Sequence, residues 1–313
     1  MSSSRLDSQS LSDACGHLAE LAGEVLVPAP AREAMASLPR AFDGRFSWLM
    51  LECRVSDDAR VDLVLHVDRE KRDGLAEACA AWPVMRDVAA AWTRPSSPLF
   101  ELATFTAELD LGGSGWSTPI VFAALESSPG EPPMVDASRA VRALLRVSGH
   151  REDPPALARA LDALGPRGWP MHVASLLPRG RDGVRLVASI PSDEVGAFAE
   201  RAGWEGSPSA ASDLATRLSA TLPRLAVHLD LGANVGPDLG VEVFFPGSPK
   251  TDRRWAPIFR YLDEVHPAKA QALADWPQST GDTPRLLGIK VVVRASGERV
   301  AKAYLAARRA PEV

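Results

Sequence analysis

The chain has 313 residues, 46% apolar and 24% charged, with a formal net charge of −5, the composition of an ordinary globular protein. The acidic balance leaves no basic stripe to displace counterions from phosphates, so nucleic acid is not an expected partner. No apolar run approaches the roughly 18 residues that span a bilayer, and the opening MSSSRLDSQS lacks a secretory core, so a cytoplasmic protein without membrane contacts is expected. Cys15, Cys53 and Cys79 show no CxxC spacing and read as reduced, structural thiols. The excess of Ala, Arg and Pro over Lys, Asn and Ile resembles a GC-rich bacterial coding sequence.

A helical segment over 10–26 comes first. RFSWLMLECRVSDDARVDLVLHV (45–67) is two alternating runs joined by Asp57-Asp58-Ala59, a hairpin. The stretch 68–82 has helical spacing and is expected to stop at Pro83. A second strand pair occupies 100–127, with helices over 136–147 and 153–164. A third pair covers 169–191, followed by a helix over 192–204 with Ser192 and Glu194 at its start. GSPSAAS (206–212) reads as a loop, as does SSPGEPP (127–133), and another helix spans 209–221. The fourth pair is 224–246, with a helix over 251–266, and the fifth is 286–309. LDLGGSGWSTPIVF (109–122) echoes LDLGANVGPDLGVEVFF (229–245), and CAAWP (79–83) echoes LADWP (273–277), the mark of a repeated unit. Neither Gly-rich turn is followed by a helix carrying Lys-Ser/Thr, so neither reads as a phosphate cradle.

Five strand pairs separated by helices give an α+β fold. The expectation is a ten-stranded antiparallel barrel of five strand-pair/helix units with helices outside. It forms one domain over 1–313, with 1–44 as a helical segment packed on the exterior; a two-sheet α+β arrangement is the alternative. This pattern, with Lys302-Ala303-Tyr304 on the second strand of the fifth unit, resembles the aromatic prenyltransferase (αββα) barrel. The resemblance implies cations around an allylic diphosphate and tyrosines shielding the allyl cation. The corresponding second-strand positions are Asp62/Val64, Ile120/Phe122, Arg185/Val187, Glu242/Phe244 and Lys302/Tyr304. Two of the five carry a cation and two carry a carboxylate, and the chain's tyrosines are Tyr261 and Tyr304 alone.

Side chains alternate across a strand, so the uniformly apolar faces point to the helices and the mixed faces into the lumen. The lumen then holds Trp48, Arg54, His66, Glu108, Asp110, Arg185, His228, Asp230, Glu242, Lys290, Lys302 and Tyr304, the candidate ligand-binding set. Counting Glu52, Asp62 and Arg294 as well, six carboxylates face five permanent cations, which is a charge-balanced lumen. Lys290 and Lys302 are expected to pair with Asp230 and Glu242 or with a peptide carboxylate. His66 and His172 are lining residues or general bases. His228 and Asp230 begin a two-His-one-carboxylate iron pattern, but His266, the third candidate, precedes Pro267 in an expected loop, so neither metal nor cofactor is expected. Trp48 and Trp116 are the tryptophans placed to stack on a ligand.

A balanced lumen is a poor diphosphate trap and suits a zwitterionic ligand such as a peptide. In length, barrel-like pattern and GC-rich composition the chain resembles the peptide-binding proteins of ribosomal-peptide natural-product biosynthesis, such as those of the crocagin pathway. That resemblance implies a precursor peptide bound in the lumen or added at a barrel edge. The peptide would be presented to a modifying enzyme or homologous subunit for modification or cyclisation. The first alternative is an aromatic prenyltransferase transferring a dimethylallyl group to an indole or phenol. There Arg54, Arg185, Lys290 and Lys302 would hold diphosphate, with Glu108 or Asp110 as acid/base. The second is a non-catalytic binder of an aromatic small molecule.

Overall fold

The structure is a computed structural model that describes residues 10–38, 40–56, 59–112, 115–125, 136–219, 222–245, 249–276 and 285–308. Its strands are β1 (Trp48–Val55), β2 (Val61–Asp68), β3 (Thr104–Gly112), β4 (Gly115–Trp116), β5 (Ile120–Ala124) and β6 (Trp169–Ser175), then β7 (Val184–Pro191), β8 (Arg224–Leu231), β9 (Val235–Phe244), β10 (Arg285–Arg294) and β11 (Arg299–Arg308). β4 and β5 both pair with β3 and make one interrupted strand. The circuit is therefore ten-stranded, each strand antiparallel to the next, and β11 pairs with β1 to close it. Closure leaves the described barrel strands no open edge. Peptide capture by strand addition, one of the expected modes, thus has no strand edge to use among the described residues.

Two helices follow each strand pair: α3 (Leu75–Ala78) and α4 (Pro83–Thr93), α5 (Ala137–Val147) and α6 (Pro155–Ala163), α7 (Val195–Ala202) and α8 (Pro208–Ser219), α9 (Trp255–Val265) and α10 (Pro267–Asp275). The fifth position is filled from the N-terminus by α1 (Leu11–Leu26) and α2 (Ala29–Ala36), α1 packing against α10 and β11. Proline accounts for the main departures from expectation. Pro83 opens α4 instead of ending a helix, Pro208 opens α8 inside the expected loop, and Pro267 opens α10. At the first helical position proline's missing N–H would be unpaired anyway, and its fixed φ suits the helix. His266 is consequently the N-cap of α10, its Nδ1 accepting from the Lys269 backbone N–H at 3.4 Å. Within 68–82 only a short 3₁₀ turn over Arg69–Lys71 and the four-residue α3 are helical. Residues 192–194 form a 3₁₀ turn with no side-chain cap, so Ser192 does not start α7 as expected.

The echoed LDLG segments occupy equivalent places, ending β3 and β8 at the hairpin end of their units. Asp57, Asp58, the SSPGEPP stretch and Pro277 lie outside the described residues. The outward strand faces, including Leu49, Leu51, Cys53, Leu63, Leu109, Val241, Ile289 and Val291, are buried under the helices with Trp92, Trp255 and Trp276. Each such large apolar side chain contributes roughly 1.5–3 kcal/mol by leaving water. This ring of core between sheet and helices fixes the opposite strand faces toward the lumen.

Candidate functional site

Two apolar clusters sit inside the barrel, separate from the main core. Met50, Val64, Leu287, Tyr304 and Ala306 form one, with Trp48 against it. Ile120, Phe122, Met171, Ala174, Leu176, Val187 and Ala226 form the other, with Trp169 against it. Polar side chains between them gather into three groups.

The first centres on Glu52, which is 1% exposed. Its Oε2 accepts from Lys290 Nζ at 2.8 Å, and its Oε1 accepts from Arg54 Nη1 at 2.7 Å and from Lys302 Nζ. Asp62, directly across β2 from Glu52, takes Arg54 Nη2 at 2.7 Å and lies 3.7 Å from Lys302 Nζ. Its Oδ1 has no partner. Burial pushes the Glu52 carboxyl up, but the Lys290 and Lys302 ammoniums more than reverse this and hold it well below the usual range. Burial and the Glu52 charge push Asp62 well above its ordinary value.

The second group joins β3, the β6–β7 connection, β7 and β8. Arg179 donates from Nη1 to Glu108 Oε1 at 3.0 Å and from Nη2 to Asp110 Oδ1 at 2.7 Å. Arg185 clamps Asp230 with Nε at 2.8 Å and Nη2 at 3.2 Å, and Arg181 Nη2 reaches the same carboxylate at 2.9 Å. Burial raises Asp230, and the Arg185 and Arg181 guanidiniums bring it below its ordinary value. Arg179 and Arg181 lie in the β6–β7 connection and are absent from the sequence-based set. Their one sequence signal is the basic PRGR in a hairpin turn.

The third group is Glu242, His228 and Tyr304. The Tyr304 hydroxyl donates to Glu242 Oε2 at 2.7 Å, and His228 Nε2 lies 2.9 Å from the same oxygen. That second approach is close but poorly aligned for a hydrogen bond, and His228 Nδ1 has no partner. Farther along the lumen, Trp48 stacks on His66 with centroids 3.9 Å apart, while His66 Nδ1 and Thr106 Oγ1 are 2.9 Å apart. Burial brings His66 down to about 3 and His172 to about 4. These imidazoles are neutral at physiological pH.

The lysines therefore differ from expectation in their partners. Lys290 lies opposite Glu242 in the β9–β10 register, yet its ammonium goes to Glu52, because Glu242 is occupied by Tyr304 and His228. Asp230 is held by Arg185 and Arg181. The iron pattern fails in space as well, since His266 caps an outer helix. Among the described residues, the one acidic or histidine group with ligand spacing is Asp62, Glu108 and Asp110, and Arg179 already bonds two of its members. The Trp116 side chain lies outside the described set.

A cavity of about 470 Å³ opens at the hairpin end. Its described lining includes seven cations (Arg54, Arg60, Arg185, Lys290, Arg294, Arg299, Lys302) against three carboxylates (Asp230, Asp238, Glu298), with His228 at its wall. The balanced count made from alternating strand faces thus gives way locally to a strongly positive chamber, because hairpin-end arginines join the strand residues.

No family model matches the chain, and no curated protein matches it. Solved structures do. The 5-dimethylallyltryptophan synthase of Streptomyces coelicolor is 14% identical, with a TM-score of 0.52 over 96% of this chain and 98% of that one. It has also been solved in complex with DMASPP and Trp. A 6-dimethylallyl tryptophan synthase is 14% identical, with a TM-score of 0.56 over 97% and 99%. AnaPT from Neosartorya fischeri is 12% identical, with a TM-score of 0.54 over 85% and 79%. At these identities the likeness concerns the fold, the ten-stranded antiparallel barrel of the aromatic prenyltransferases.

Proposed function

We propose that this barrel transfers a prenyl group from an allylic diphosphate to an aromatic acceptor such as an indole or phenol. The observation that carries the reading is the cavity with seven cationic side chains against three carboxylates. An allylic C–O bond ionises readily only where positive charge meets the departing diphosphate, and fixed cations in a partly dry site do this without reorganisation. In this reading Arg54, Arg185, Lys290 and Lys302 hold the diphosphate. The acceptor stacks in the apolar lumen among Trp48, Phe122 and Tyr304, and Glu108 or Asp110 manages the proton. The dimethylallyl chemistry named for two structural neighbours supports the assignment by analogy of fold alone.

One observation favours the precursor-peptide reading: the deep cations are already matched by Glu52, Asp62 and Asp230. Calorimetric titration with dimethylallyl thiodiphosphate separates the two. Prenyl transfer requires binding on the order of micromolar, lost in Arg185→Ala and Lys302→Ala, together with a mass gain on an aromatic acceptor supplied with dimethylallyl diphosphate. Binding of a tryptophan-bearing peptide with no response to the diphosphate analogue would overturn it.

A further inference from the structure

Three of the cations facing the cavity share one carboxylate behind them. Arg54, Lys290 and Lys302 all line the cavity, and all three direct a donor to Glu52. Glu52 is not among the described lining residues and is 1% exposed. It comes from β1, whereas Lys290 and Lys302 come from β10 and β11, so closure of the barrel assembles the group. Lys290 and Lys302 are also direct cross-strand neighbours, a juxtaposition of like charges that is unfavourable unless an anion lies between them.

Among the described residues, Glu52 is the one carboxylate that bonds all three cations. Asp62 reaches Arg54 and Lys302, whereas the Lys290 ammonium goes to Glu52. Glu242 is committed to Tyr304 and His228. We infer that Glu52 is the resident counter-ion of an anion site: it holds Arg54, Lys290 and Lys302 in place in the ligand-free protein, and it competes with an incoming anion for them. The inference rests on the cavity being an anion site, as proposed above.

Competition has a sign that a merely structural carboxylate lacks. Removing the Glu52 charge destabilises the ligand-free protein more than the anion-bound one, because the bound anion replaces what was lost. Anion affinity must then rise as stability falls. A carboxylate that only props the barrel would lower stability and leave affinity unchanged or reduced.

The test titrates the full chain with inorganic pyrophosphate at fixed ionic strength, comparing wild type, Glu52→Gln and Glu52→Asp. Glu52→Gln is expected to bind about tenfold more tightly or better, the order of effect of removing one like charge beside the site. Its melting temperature falls, and pyrophosphate raises that temperature more than it does in the wild type. Glu52→Asp keeps the charge but is one methylene short of the lysines, and gives an intermediate gain. If Glu52→Gln does not fold, Glu52→Asp decides by the same comparison. Equal or weaker binding by the variants overturns the inference while leaving the prenyl-diphosphate reading standing. Binding by Glu52→Gln without any by the wild type supports the inference and overturns that reading, and no binding by any protein overturns both.

Discussion

Glu52 and Lys290 are 238 residues apart in the chain and meet at 2.8 Å inside the barrel, both nearly excluded from solvent. Desolvating two charges is expensive, and breaking such a pair from one side leaves the other charge buried without its partner. Lys290→Met is therefore expected to lower unfolding stability by about 3 kcal/mol, at the lower end for buried pairs because Arg54 and Lys302 remain on Glu52. Arg86→Ala, which removes a half-exposed partner of Asp87, is expected to stay within about 0.5 kcal/mol. Urea midpoints for the two variants check this. Equal, small losses would mean that the lumen network does not hold β10 against β1.

Acid should begin to loosen the barrel before its carboxylates titrate. Burial lowers His66 to about 3 and His172 to about 4, below the unfolded value of about 6.5. Between those limits the unfolded chain binds more protons, so stability is complete above pH ~6.5. It then falls with pH by up to about 1.4 kcal/mol per unit for each ring. His228, also lowered by burial, tilts the curve the same way. Asp62 is pushed up and tilts it the other way. Denaturation midpoints should decline from pH 6.5 toward 5, and the double variant His66→Gln, His172→Gln should flatten that decline. A wild-type profile already flat over this range would mean the rings are charged or hydrated in the folded protein.

Gly288 resists a side chain for a reason that Gly240, on the adjoining strand opposite Val292, does not share. A Cβ at Gly288 would lie 2.2 Å from the Val243 carbonyl oxygen, next to a register shift between Leu286 and Gly288. That oxygen belongs to the β9–β10 ladder and cannot withdraw without breaking pairing. A Cβ at Gly240 meets side chains instead, His228 Cβ at 3.0 Å and Lys290 Cδ at 3.4 Å. Gly288→Ala should cost about 3 kcal/mol and Gly240→Ala about 1 kcal/mol, within the range for overpacking. Chemical denaturation ranks them, and the reverse order would contradict the strand register.

The barrel was legible because its signal is periodic and repeated: five strand pairs, each with one uniformly apolar face. That face placed Trp48, His66, Glu108 and Lys302 in the lumen without any long-range information. Partner choice was not legible. The β9–β10 register sets Lys290 against Glu242, but the lysine side chain is long enough to reach a strand on the far side of closure. Glu242 was meanwhile taken by Tyr304 and His228. Arg179 and Arg181 escaped notice because alternation says nothing about side chains arriving from a turn. The helices opened by Pro83 and Pro267 were missed because proline both ends and begins helices, and a short apolar segment does not say which; α8 was expected over 209–221 and begins at Pro208.

Tyr304 offers a prediction that separates holding the lumen together from holding a ligand. Its hydroxyl donates to Glu242 at 2.7 Å, while its ring lies 5.5 Å from Lys290 Nζ and 5.9 Å from Phe244. Burial and the Glu242 charge raise the phenol well above its ordinary value, so it donates and does not ionise. Tyr304→Phe keeps the ring and removes the donor, leaving the charged Glu242 short of one hydrogen bond. The expected loss is about 1.5–3 kcal/mol, the worth of a hydrogen bond to a charged group. In a Glu242→Gln background the same change should cost about 1 kcal/mol, so a double-mutant cycle returns a coupling of about 0.5–2 kcal/mol. Tyr304 is not among the described residues that line the cavity, so Tyr304→Phe should leave dimethylallyl thiodiphosphate affinity within about twofold, under 0.5 kcal/mol. A large loss of affinity with little loss of stability would instead place the hydroxyl on the diphosphate and not on Glu242.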